Sequence, residues 1–174
     1  KESYQDQLVA RTADTITLTN GRRLNPLYPT YTFRASLEIA GALPRLATTL
    51  GGAKRDEEGQ KKILGVAYAE YIKGNVEYAR TFYFSKKHSL AYRVGLGMAQ
   101  PYGNSSVLPF ERRFFSGGAN SVRGWSTRSL GPGSYKKIDP DQSDFVNQTG
   151  DMKLEFNIEN RMKLTSLFEF AQFI

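Results

Sequence analysis

The pattern that most restricts the fold of this chain is an alternation of polar and apolar side chains near its C-terminal end, broken only by Asn160 on the apolar face. Residues 153–163 read Lys-Leu-Glu-Phe-Asn-Ile-Glu-Asn-Arg-Met-Lys, with a polar residue at every odd position. A period of two predicts a β-strand. It does not settle the surroundings of the strand, because a soluble sandwich turns its polar face to water and a membrane barrel turns it to the lumen.

Two further segments, residues 31–41 and 90–99, alternate in the same way and are also expected to be strands. One face of the second segment carries only Ala, Arg and Gly side chains. Such a bare face leaves room for another segment to lie against it, although a bend or a close strand contact explains the glycines equally well. We expect a loop over residues 47–62, one long strand over 63–84 with an irregularity at Gly74, and about six antiparallel strands in an all-β fold.

Residues 101–150 show no sustained alternation, and a stretch of that length is expected to be a functional loop. Two adjacent glycines allow it to turn sharply. A guanidinium cannot shed its charge, so a buried loop tip would require a carboxylate or several carbonyl groups around its arginine. The alternative is a glycine-rich surface turn with a solvated arginine. The loop motif consists of Gly117, Gly118, Val122, Arg123, Gly124 and Trp125.

Composition argues against several other classes of protein. The chain has no cysteine and one histidine, so no disulfide framework, thiolate site or histidine zinc site is expected, and neither a metal nor a cofactor. His88 follows two lysines in an expected turn and is interpreted as solvated, so we do not expect an enzyme. The net charge of +7 is spread along the chain, which argues against nucleic-acid binding but permits attraction to lipid phosphates.

Residues 108–125, which read Leu-Pro-Phe-Glu-Arg-Arg-Phe-Phe-Ser-Gly-Gly-Ala-Asn-Ser-Val-Arg-Gly-Trp, resemble the Omp85 superfamily of outer-membrane proteins, and most of all its BamA and TamA-like branch. In that family, a Val-Arg-Gly-aromatic tip on a long extracellular loop folds back into the barrel lumen. The resemblance implies an antiparallel transmembrane β-barrel, of which residues 1–100 would form strands and turns, 101–150 the extracellular loop and 151–174 the next two strands. POTRA domains and the terminal strands are expected outside this sequence.

The resemblance also implies partners for the loop arginine. Glu159 matches the glutamate of the family's next strand, and it is preferred to Glu155 on the same polar face; two solvated strand glutamates are the alternative. Phe173 matches the phenylalanine of a Phe-x-Asp-x-Gly pattern whose aspartate would follow Ile174. Gly150 and Asp151 match the pair that opens the strand after the loop.

On this resemblance, the intact protein inserts outer-membrane proteins in a Gram-negative bacterium. Its partners would be unfolded outer-membrane protein clients, the lipid and lipopolysaccharide of the membrane, and accessory assembly subunits. Two alternatives remain open at this point. A two-partner secretion transporter of the same superfamily would use the loop to gate export, and a soluble ligand-binding β-barrel would turn its apolar faces inward.

Overall fold

One antiparallel sheet of six strands, in the order β2-β3-β6-β7-β8-β9, forms the body of this computed structural model, which describes residues 7–20, 27–56, 59–131, 133 and 148–174. Strands β2 and β9 are the two edges, so the sheet is open. Its strands are β2 (Arg11–Thr19), β3 (Thr30–Ala40), β6 (Tyr71–Ser85), β7 (His88–Pro101), β8 (Met152–Lys163) and β9 (Glu169–Phe173).

A smaller sheet and one helix lie at the end of the large sheet where β3 finishes and β6 begins. The small sheet has the order β1-β5-β4 and consists of β1 (Gln7–Leu8), β4 (Lys62–Ile63) and β5 (Val66–Tyr68). Helix α1 (Ala42–Leu50) follows β3 after Gly41. We call this end of the large sheet the loop end, and the opposite end, with the short β6–β7 connection, the turn end. The described residues include no helix of the length and apolar character that crossing a membrane requires.

The two faces of the large sheet differ in chemistry, as the alternation predicts. In the register of β7 with β8, Arg93 pairs with Asn157 and Gly95 with Glu155, which places the bare face of β7 beside the polar face of β8. The opposite face carries large apolar side chains that stay exposed, among them Ile16, Leu37, Leu96, Leu154 and Phe156. A mainly polar face and a mainly apolar, exposed face therefore extend across the sheet.

The structure corrects three expectations for the region before β7. Residues 42–50 form a helix, whereas a loop was expected from residue 47. Residues 63–84 are not one strand, because they contain the short β4–β5 hairpin before β6 begins at Tyr71. Gly74 pairs regularly with Leu37 and Met98, and the register shift lies between Tyr83 and Ser85. The period-two pattern alone could not distinguish the hairpin from a continuous strand.

The buried hydrophobic cluster lies where the long loop meets the loop end of the sheet. It is small because most of the apolar surface faces outward. Its members are Ala40, Ala69, Tyr71, Ala99, Leu108 and Phe114.

Candidate functional site

The long connection between β7 and β8 returns across the polar face of the sheet, beginning at Phe114. The backbone of Phe114 exchanges hydrogen bonds of 2.8 Å with Gly150, which extends β8 at its start. The Phe114 ring lies on Gly97, where an ideal Cβ would be 2.5 Å from Cε1 of the ring. Lys73 Nζ donates to the Arg112 carbonyl at 2.8 Å and lies 4.2 Å from the centre of the Phe114 ring. The loop is therefore attached to both β6 and β7.

The glycine pair reverses the loop's direction. Gly117 has φ of +99°, and a Cβ there would collide with the Ser126 carbonyl oxygen, so this position requires glycine. The Gly118 amide donates to the Trp125 carbonyl at 2.8 Å. The residues between Gly118 and Trp125 include the segment that lies on the polar face of the sheet. We call residues 119–123 the tip segment.

Glu155 binds the middle of the tip segment. Its side chain is 5% exposed, and it accepts hydrogen bonds from Ser121 Oγ at 2.7 Å and Arg93 Nη2 at 2.6 Å. Lys153 Nζ lies 2.7 Å from Glu155 Oε2, the same oxygen that accepts the Ser121 hydroxyl. Two cations and a hydroxyl thus compensate one carboxylate, as burial of a charge requires. Glu155 is not a solvated strand residue.

Arg93 connects the same carboxylate to the backbone of the loop. Its Nη2 donates to the Asn120 carbonyl at 2.7 Å and to Asn157 Oδ1 at 2.8 Å. Asn157 Nδ2 in turn donates to the Ser121 carbonyl at 3.2 Å. The tip segment is therefore bound to β7 and β8 through its carbonyl groups as well as through its side chains.

Arg123 lies at the end of the tip segment and reaches Glu159. Its Nη2 is 3.5 Å from Glu159 Oε2, its Nε donates to the Ala119 carbonyl at 3.2 Å, and its guanidinium carbon is 4.9 Å from the centre of the Phe173 ring. The side chain is 41% exposed, and Glu159 is also held by Arg161 Nε at 2.7 Å. A partly exposed ion pair of this kind contributes little to stability. The pair with Glu159 is therefore one of several contacts that hold Arg123 in place.

The structure brings some of the predicted residues together and leaves others apart. Arg123, Glu159 and Phe173 meet at one place, and Gly150 pairs with Phe114. The carbonyl of Asp151 accepts the Ala99 amide at 2.8 Å. Trp125, by contrast, is 54% exposed, and its carbonyl accepts the Gly118 amide within the loop. Gly124 has φ of +91° and no neighbour near its Cβ position, so it serves the turn after Val122.

A cavity of about 310 Å³ remains between the tip segment and the sheet. Its walls include Arg93, Asn157, Glu159 and Phe173, and the small residues Ala79 and Ala91 form part of its floor. Small side chains on the inner face thus provide the space in which the arginine lies. Among the described residues, no group of His, Asp and Glu side chains is arranged to hold a metal ion.

A second group of contacts secures the root of the loop, and the sequence did not indicate it. Glu70, which is 2% exposed, accepts a hydrogen bond from the Asn104 amide. The Asn104 side chain donates to the carbonyls of Lys61 and Tyr68, both at 2.9 Å. Burial, with a smaller contribution from the Glu70 carboxylate, raises the pKa of the Tyr102 phenol, which donates to the Ala40 carbonyl at 3.0 Å. The loop root is therefore joined to the small sheet.

The sequence also gave little indication of Lys73, Arg93 and Ser121 as site residues. Arg93 had a signal, because it is the one large side chain on the bare face of β7. The interpretation of His88 as a solvated turn residue is wrong: it is the first residue of β7, and its Nε2 lies 2.8 Å from Asn160 Oδ1. Its ring also lies 5.0 Å from that of Phe84.

The chain is similar to known proteins over a large part of its length. Residues 64–174, which include β5 to β9 and the whole tip segment, match the Omp85 superfamily domain. A segment of 58 residues is 38% identical to the outer membrane protein assembly factor BamA of Neisseria meningitidis serogroup B. That segment is 32% of this chain and 7% of the relative, so the chain spans a small part of the relative's length. The match over most of the chain shows that it belongs to the Omp85 superfamily.

Proposed function

We propose that this chain is part of a transmembrane β-barrel in the outer membrane of a Gram-negative bacterium, and that the intact protein assembles other outer-membrane proteins. The chemistry of the two sheet faces supports the barrel. Large apolar side chains such as Leu154 and Phe156 are 76% and 58% exposed, which suits contact with lipid. The polar face carries the loop instead. This arrangement favours a membrane barrel over a soluble ligand-binding barrel, whose apolar faces would be packed inside.

The observation that carries the functional proposal is the contact of Arg123 with Glu159 and Phe173. Three different elements meet there: the tip segment, β8 and β9. A guanidinium can satisfy a carboxylate, a carbonyl and an aromatic face at once because its donors lie in one plane. Arg123 is therefore proposed as a structural lock that keeps the loop against the barrel wall, not as a catalytic group. Unfolded outer-membrane proteins are the proposed clients.

The relative named as an assembly factor supports assembly over secretion, the other function proposed within the superfamily. Accessory subunits and contact with lipopolysaccharide belong to the same proposal. The sequence of the region before this chain would separate the two functions, because a plug helix with two POTRA domains would favour a secretion transporter.

The test uses Arg123→Ala and Glu159→Arg in the full-length protein, produced in cells that depend on the variant. We expect less folded client protein in the outer membrane, while the variant itself still inserts, because the contacts of Glu155 with Ser121 and Arg93 remain. Heat-modifiability on gels measures both quantities. Arg34→Ala is the matched control, since Arg34 is an exposed arginine on the polar face of β3, and strands β6 and β7 separate β3 from β8. Normal client assembly in both site variants would contradict the proposal.

A further inference from the structure

Helix α1 packs on the rest of the protein without using its leucines, which are exposed. Its buried residues are Pro44 and Thr48, and the Thr48 hydroxyl lies 3.1 Å from the Tyr68 hydroxyl. Its leucines point away from the body, where Leu43, Leu46 and Leu50 are 71%, 57% and 81% exposed. A helix on a water-soluble surface does the opposite, because burial of leucine is favourable and burial of threonine is not.

The three leucines form a single stripe. At 100° per residue, Leu43 and Leu50 lie about 20° apart around the helix axis, and Leu46 lies within about 60° of both. The buried side, at Pro44 and Thr48, is roughly opposite. We call Leu43, Leu46 and Leu50 the leucine stripe.

The position of α1 in the fold indicates what covers this stripe. Strand β3 has 11 residues, the length of a strand that crosses a bilayer at a tilt. On its apolar face, Leu37 and Ile39 near the end of the strand are exposed, and α1 starts at Ala42, just after the Gly41 turn. If β3 crosses the membrane, α1 begins at the level where the hydrocarbon meets the headgroups. The stripe therefore follows the apolar face of β3 directly along the chain.

The charges around the helix suit the same environment. Lys54 and Arg55, which follow the helix, are exposed, and residues 42–55 contain no acidic side chain before Asp56. Arg45, on the helix, is also exposed, but its Nη1 lies 3.9 Å from Glu70 Oε1. Cations at the end of a helix with an exposed apolar stripe are typical of a helix that lies in a membrane interface and contacts anionic phosphates. This position favours lipid over a protein partner, because binding of a protein would not require cations at the level of the membrane where β3 ends.

We propose that α1 lies in the outer membrane surface, with the leucine stripe inserted among the acyl chains and Lys54 and Arg55, just after the helix, at the headgroup phosphates. This inference rests on the proposed membrane barrel. The helix would set the depth and tilt of β3 and of the loop end beside it. Lipid of the outer leaflet is thus a specific partner of this short helix.

The test places single cysteines in a cysteine-free full-length protein and labels them with an environment-sensitive fluorophore. The positions are Leu43 and Leu50 on the stripe, Thr49 on the same helix about 100° or more away, and Leu154 on the outer face of β8. The protein is reconstituted in phosphatidylethanolamine–phosphatidylglycerol vesicles. Quenching is measured with a nitroxide on the lipid acyl chain and with iodide in the water. All four side chains are exposed, so the substitutions leave packing intact.

We expect labels at Leu43 and Leu50 to be quenched by the acyl-chain nitroxide at least about threefold more than the Thr49 label, and less by iodide, because an interfacial helix buries one face by several ångströms. Iodide quenching equal to that of Thr49 would overturn the inference, and so would protection from both quenchers, which would indicate a protein partner. In both cases, quenching of the Leu154 label by the acyl-chain nitroxide would show that only the inference about α1 fails and that the barrel proposal still holds. A Leu154 label outside the lipid would overturn the barrel and, with it, the inference.

Discussion

The ring of Phe114 occupies the space that a side chain at Gly97 would need, since an ideal Cβ on Gly97 would lie 2.5 Å from Cε1 of that ring. Gly95 is two residues earlier on the same face of β7, but its Cβ position lies 4.0 Å from Glu155 Cβ, an ordinary contact. The two glycines therefore have different reasons to be glycine. At Gly97 the loop packs on the strand, and at Gly95 the neighbour is the paired strand β8.

Gly97→Ala is expected to displace Phe114 and loosen the loop, whereas Gly95→Ala is expected to be tolerated. Overpacking of this kind costs about 1–3 kcal/mol. The readout is protease cleavage within residues 102–131 of the full-length protein, together with the midpoint of heat-modifiability. Equal cleavage of the two variants would mean that Phe114 does not rest on Gly97 in the membrane.

Glu155→Ala is expected to lower stability more than Glu77→Ala, although both carboxylates face Arg93. Arg93 Nη2 is 2.6 Å from Glu155 but its Nη1 is 3.7 Å from Glu77, which is 31% exposed. Removal of Glu155 leaves Arg93 and Lys153 without their closest carboxylate. Because Arg93 is itself 31% exposed, water compensates part of this loss, and we expect about 1–3 kcal/mol.

The measurement for Glu155 is the denaturant midpoint of the full-length protein in detergent, combined in a double-mutant cycle with Arg93→Ala. A coupling energy near zero between positions 93 and 155 would exclude the proposed contact. The Glu77→Ala variant controls for the loss of one negative charge from the inner face.

Phe173→Leu is expected to weaken the hold on Arg123 without removing it. The Phe173 ring is 4.9 Å from the guanidinium carbon, and a partly exposed cation–π contact contributes about 0.5–1 kcal/mol. Phe170→Leu is the control, because Phe170 is on the opposite face of β9. The rate at which a thiol reagent modifies Val122→Cys, measured in each background, reports opening of the tip. A similar rate in both backgrounds would count against the aromatic contact.

Asn104→Ala is expected to detach the small sheet from the loop root. The Asn104 side chain accepts the Lys61 amide at 2.6 Å and donates to the carbonyls of Lys61 and Tyr68. Each buried group left without a partner costs about 1–3 kcal/mol. Hydrogen exchange of residues 61–68 should rise at least about tenfold, since about 1.4 kcal/mol already corresponds to that factor. Thr49→Ala, which removes a single exposed side-chain bond to the Arg45 carbonyl, should leave this exchange unchanged.

The alternation of polar and apolar residues was sufficient to predict the strands whose two faces meet different environments. In residues 153–163 every second side chain is polar, and the pairing of β8 with β7 follows that pattern residue by residue. It failed for residues 42–50, because a helix of nine residues offers only three leucines at helical spacing and this one contains a proline and two threonines, which are poor helix formers. The motif around Arg123 drew attention to Glu159, but it carried no information about Lys73 or Asn104.

The sequence by itself determined that the chain forms strands with one polar and one apolar face, and that a buried loop tip would need a carboxylate or several carbonyl groups around its arginine. The tertiary structure decided which carboxylate lies beside each distant cation: Glu159 beside Arg123, and Glu155 beside Arg93. The reason is physical. Alternation reports only the side of a strand on which a residue lies, whereas pairing across 30 or more positions depends on strand register and on the path of the loop.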